Sequence, residues 1–177
     1  MPLATCHLRL LLLLRIICCN SVIMDVPQDE GIISSIYRGE AGDIPLGDRF
    51  VKIIVDVHKS VAAIRGWAFI WHQNIVLFIC HEGVEKIGTE AFSMCTSLRR
   101  IVMRGVKIVE WDAFNCCTAL MDVQCDKLEI IKSGAFRGCT SLRSINLPSV
   151  EIVKELAFHY CTALMDVKFG NKLERIE

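Results

Sequence analysis

One unit recurs along most of this chain. An Ala-Phe dipeptide closes at Phe69, Phe92, Phe114, Phe136 and Phe158, at steps of 23, 22, 22 and 22 residues. Three residues after each Phe stands His72, Cys95, Cys117, Cys139 or Cys161, and Thr follows each of these four cysteines. Six residues after each Phe comes Ile75, Leu98, Leu120, Leu142 or Leu164. A unit this short cannot bury an apolar face by itself, so successive units must stack.

Two further apolar positions follow at spacing two: Phe78 and Cys80, Ile101 and Met103, Val123 and Cys125, Ile145 and Leu147, Val167 and Phe169. Period two puts each pair on one face of a short strand. Strands from successive units would then lie about 4.8 Å apart in a parallel sheet. An apolar pair three apart restarts the unit, as at Val61 and Ile64 or Val106 and Val109. The Ala-Phe-x-x-Cys-Thr-x-Leu stretch reads as a short helical turn, with its Phe, Cys and Leu facing inward. The expected architecture is an α/β solenoid: a curved stack of short parallel strands and short helical turns.

The clearest copy is Ala135 to Pro148, Ala-Phe-Arg-Gly-Cys-Thr-Ser-Leu-Arg-Ser-Ile-Asn-Leu-Pro. This pattern resembles the BspA-type leucine-rich repeat family over roughly residues 51–177. The resemblance implies a solenoid and, by analogy with some bacterial members, a surface module that adheres to host proteins. The first copy departs from the pattern: His72 replaces Cys, Trp67 and Trp71 crowd the turn, and Leu77 and Ile79 are apolar where polar residues are usual.

The organisation expected is a leader over residues 1–31, disordered or weakly signal-like, and an N-terminal cap with a zeroth rung over 32–60. A solenoid of five repeats and a truncated sixth would occupy 61–177. In the leader, Arg9 precedes Leu10 to Leu14, but Arg15 interrupts the apolar run, which is also too short to span a bilayer. In the cap, residues 32–37 and 50–57 read as strands joined by a segment rich in Gly, Pro and Asp. Leu173 and Ile176 open a unit whose Ala-Phe is not reached by Glu177. Either a partner covers that layer or the sequence is a piece of a longer protein. End-to-end self-association through it is one expected consequence.

Lys+Arg and Asp+Glu are both 20, so the net charge is zero. That argues against a nucleic-acid partner, which calls for a basic excess. None of the ten cysteines forms a Cys-x-x-Cys pair, the usual zinc spacing. No metal or other cofactor is expected. Stacking would bring the Cys95, Cys117, Cys139 and Cys161 α-carbons within disulfide range, but parallel packed side chains suit buried thiols better. Cys116, beside the inward Cys117, would face outward as the most reactive thiol. No asparagine begins an N-x-Ser/Thr sequon. These features lean toward an intracellular location, with secretion or the cell surface as the alternative.

No Ser/His/Asp order, Gly-rich phosphate loop or paired-carboxylate arrangement falls in repeat context, so no enzyme is expected. The candidate site is the outward face of the strands. One column is Leu77, Arg100, Asp122, Ser144 and Asp166; the next is Ile79, Val102, Gln124, Asn146 and Lys168; Arg104 and Asp126 flank them. A third column, Ile108, Ile130 and Ile152, is either an exposed apolar stripe or partly inward-facing strand residues. The function expected is a non-catalytic protein-interaction scaffold whose partner is an unknown protein. A secreted or surface recognition module and the targeting repeats of a multidomain protein are the alternatives.

Overall fold

The computed structural model describes residues 31–40, 43–44 and 51–177. The expected leader and most of the segment joining the two cap strands lie outside the described residues. Seven longer strands carry the fold: β1 (Gly31–Tyr37), β2 (Val51–Val57), β4 (Ile75–Ile79), β6 (Arg100–Val102), β8 (Asp122–Gln124), β10 (Ser144–Leu147) and β12 (Asp166–Phe169). Six two-residue strands alternate with them: β3 (Ala63–Ile64), β5 (Lys86–Ile87), β7 (Ile108–Val109), β9 (Ile130–Ile131), β11 (Ile152–Val153) and β13 (Arg175–Ile176).

Every strand pair is parallel, as it must be when each turn brings the chain back in the same direction. The short strands form one sheet in the order β13-β11-β9-β7-β5-β3. The longer strands form β1-β2-β4-β6-β8 and, separately, β10-β12. Val55 lies opposite Phe78, and a bulge between Ile53 and Ile54 absorbs the extra residue Val76.

The expected helical turns are not there, and among the described residues the chain is a β-solenoid of about six turns with no helix. The reason lies two residues to either side of each stacked Phe. Trp67 and Trp71, Glu90 and Met94, Asp112 and Cys116, Gly134 and Gly138, and Leu156 and Tyr160 all have φ between 49° and 72°. A helix needs every φ negative and every N–H aimed along one axis. Here the N–H groups alternate. Ala91, Ser93 and Cys95 close tight turns onto Gly88, Glu90 and Phe92, while Glu90, Phe92 and Met94 donate to Trp111, Ala113 and Asn115 of the next turn. The left-handed residues are thus the third residues of linked tight turns, a place that demands positive φ. Each non-Gly residue held this way costs about 1–2 kcal/mol, which the continuous hydrogen-bond ladder between turns offsets.

Within the stack, Phe69, Phe92, Phe114, Phe136 and Phe158 lie ring on ring, with centroids 5.1–5.5 Å apart and planes within 19° of parallel. The cysteines have a specific role beside them. Cys95 Sγ donates to Phe69 O at 3.0 Å, Cys117 to Phe92 O at 3.1 Å, Cys139 to Phe114 O at 3.3 Å and Cys161 to Phe136 O at 3.1 Å. Each thiol therefore fills the core as a small apolar group and ties its turn to the carbonyl of the turn before. All seven described cysteines are free.

Candidate interaction face

The strand pairing assembles the two outward columns across β4, β6 and β8. Leu77 lies opposite Arg100 and Arg100 opposite Asp122; Ile79 lies opposite Val102 and Val102 opposite Gln124. Ser144 pairs with Asp166 and Asn146 with Lys168 across β10 and β12. Residues between inward positions point outward, so Phe78, Ile101, Val123 and Ile145 are buried. Leu77, Ile79, Arg100, Val102, Asp122 and Gln124 are half-buried, while Arg104, Asp126, Ser144, Asn146, Asp166 and Lys168 are exposed.

The same columns run further than the repeat predicts. Ile54 lies beside Leu77 and Asp56 beside Ile79, and β1 adds Ser34 beside Ile54 and Ile36 beside Asp56. Ile36, Ile54, Leu77, Ile79 and Val102 thus make this half of the face mainly apolar, interrupted by Ser34 and Asp56, with Ile36 44% exposed. The alternation of β2 marks Ile54 and Asp56 as outward, a signal available once Ile53, Val55 and Val57 are recognised as inward. Burial pushes the Asp56 carboxyl above its usual range.

The other half is polar and internally paired. Arg100 Nε lies 2.8 Å from Asp122 Oδ2. Arg104 donates to Gln124 Oε1 at 3.3 Å and stands 3.7 Å from Asp126. Lys168 is 3.6 Å from Asp166 of its own strand. Asp122 and Asp166 therefore have separate cationic partners and are not a carboxylate pair.

Within this polar half the strand ladder lapses, since β8 and β10 belong to different sheets. Cys125 Sγ donates to Asn146 O at 3.5 Å across the gap. An open cleft of about 390 Å³ lies there, with Val123, Cys125 and Ile145 in its floor and Arg104, Asp126 and Asn146 on its rim. Nothing in the repeat pattern marks this break.

The remaining sequence candidates fall elsewhere. Ile108, Ile130 and Ile152 are half-buried on the short-strand sheet, in register with one another. Cys116 is half-buried, its thiol directed to Asn115 Oδ1 at 3.3 Å. The sixth turn is the least covered: Met165 is 85% and Ile176 61% exposed. Among the described residues no three His, Cys, Asp or Glu side chains converge to hold a metal. No helix among them is long and apolar enough to cross a membrane.

The BspA-type leucine-rich repeat region matches residues 62–177 in six copies. Solved structures with similar folds include a leucine-rich cell surface protein from Faecalibacterium prausnitzii, 26% identical with a TM-score of 0.57 over 66% of this chain and 33% of that one. The leucine-rich repeat protein of T. pallidum is 24% identical with a TM-score of 0.54, over 86% and 78% of the respective chains. This chain spans about a third of the length of the first. No curated protein matches.

Proposed function

This chain belongs to the BspA-type leucine-rich repeat family, and from that premise we propose that it is a non-catalytic protein-interaction module that binds its partner on the outward face of the longer strands. The observation that carries this reading is the apolar half of that face. Ile54, Leu77, Ile79 and Val102 are neighbours on three adjacent strands, β2, β4 and β6, with Ile36 of β1 lying beyond Asp56, where a solvated strand face would be polar. The polar half, with Arg100, Arg104, Asp122, Gln124, Asp126, Ser144, Asn146, Asp166 and Lys168, supplies the charged rim that sets register and specificity.

The test is crosslinking in the native cell, comparing the wild-type chain with Ile79→Asp and with Arg100→Glu. Both substitutions lie on partly exposed positions and leave the core intact. A partner recovered with the wild type and lost with both variants, but kept with Lys172→Glu away from the face, supports the reading. Unchanged crosslinks from all variants refute it.

A second reading is a cell-surface recognition module, favoured by the description of the F. prausnitzii protein as a cell surface protein. Protease shaving of intact cells decides between the locations: loss of the chain from unbroken cells indicates the surface. The third reading, repeats that address a larger multidomain protein, draws on the fact that the chain spans about a third of that neighbour; the mass of the endogenous protein tests it. Apolar side chains exposed on the sixth turn, among them Phe169 and Ile176, support end-to-end self-association, which sedimentation equilibrium measures.

A further inference from the structure

We propose that the row Trp67, Glu90 and Asp112 on the turn stack is a second docking surface, for a segment of a partner protein that carries arginine or lysine side chains. The three residues hold the same place in consecutive turns, each two residues before its stacked Phe. The backbone keeps them in order: Trp67 N–H donates to Thr89 O, Glu90 N–H to Trp111 O and Asp112 N–H to Ser133 O. Parallel turns stack at about 4.8 Å, so the row presents an indole followed by two carboxylates at close spacing.

Trp67 is 60% exposed, and its indole N–H donates to Glu90 Oε1 at 3.3 Å. The ring is thereby anchored at its edge to a carboxylate while most of its surface meets water. Trp71, 58% exposed, flanks Phe69 on the other side, and Met94 follows it in the next turn. Two large aromatics on the surface of one turn are unusual for a monomeric soluble surface.

Charge decides what covers them. Glu90 has no ion-pair partner among the described residues. Asp112 stands close enough to Glu90 that the two like charges oppose each other; burial first, and Glu90 second, hold the Asp112 carboxyl above its usual range. Arg137 faces Asp112 and offsets only part of this. A guanidinium or ammonium laid between indole and carboxylates gains attraction from the ring face and relieves that repulsion. An acidic or purely apolar segment would desolvate the carboxylates without compensation. The chain has no net charge, so the attraction is local to the row.

The test uses the full chain and a short fluorescein-labelled peptide of alternating arginine and glycine, followed by fluorescence anisotropy. Trp67→Gly suits the left-handed backbone at that position, and Glu90→Gln keeps the side-chain shape. Each is expected to weaken binding roughly two- to fivefold, and added salt to weaken it for the wild type. Trp67→Tyr should keep most of the affinity, which separates a role for the ring from a fault in folding. Glu174→Gln, exposed and outside both surfaces, should change nothing. The proposal is overturned if Trp67→Gly and Glu90→Gln bind like the wild type, if the glutamate version of the peptide binds as well, or if Glu174→Gln weakens binding as much.

Discussion

Alkali should destabilise this protein before most of its lysines lose their protons. Burial pushes the Cys80, Cys95 and Cys125 thiols up to about 12, against an ordinary value of 9.0. Cys117 rises through burial, whereas in the adjacent pair Cys139 rises and Cys161 falls, so the two oppose each other. A thiol with a raised folded-state pKa ionises first in the unfolded chain. Its contribution is complete below about pH 9 and is lost between about pH 9 and about pH 12. At about pH 10 each unfolded thiol has gained somewhat more than 1 kcal/mol from ionisation, so Cys80, Cys95 and Cys125 together remove about 4 kcal/mol. Cys117 adds to this in the same direction. A typical domain has about 5–15 kcal/mol in total. The assay is the urea midpoint by circular dichroism, at a series of pH values from neutral into this window. The expected curve is flat to about pH 8.5 and falls steeply beyond it. A midpoint unchanged up to about pH 10 refutes the reasoning. So does native-state reaction of the core thiols with a disulfide reagent at the rate of the unfolded chain.

The Phe stack should show nearest-neighbour behaviour. Phe114 is fully buried between two rings, whereas Phe158 is half-buried against Phe136 alone among the rings. Phe114→Ala should cost about 3–5 kcal/mol in denaturant unfolding and Phe158→Ala about half that; equal costs would contradict the stacking account. The left-handed positions give a test of opposite sign at two places. Leu156→Gly, at φ 57°, should leave stability unchanged or raise it by up to about 1 kcal/mol. Gly134→Ala, at φ 66° with Asp112 Oδ1 lying where a Cβ would go, should lower it measurably in thermal unfolding. The reverse order would show that these turns are not held as described.

The two columns of the candidate face were legible because side chains in a strand alternate, and Ile101 and Met103 inward leave Arg100 and Val102 outward whatever the details of the turn. The Phe and Cys columns were legible for the same kind of reason: a core position recurs at the period of the coil. The turn was misread because Phe, Cys and Leu at offsets of three fit one face of a helix as well as they fit a set of tight turns. Only Gly134 and Gly138 advertise positive φ; Trp67, Glu90, Met94 and Leu156 do not, and nothing in their own chemistry asks for it.

The repeat thus determined by itself that the chain is a parallel stack, which residues enter the core, and which point away from it. The left-handed turn residues were decided by the tertiary structure, because the hydrogen bonds that hold Glu90 or Asp112 in that region come from the next turn of the coil. The apolar extension onto β1 and β2 and the cleft between β8 and β10 have the same origin. Register between strands decides which outward residues become neighbours and where the ladder lapses, and that register is a property of stacked turns rather than of any one of them.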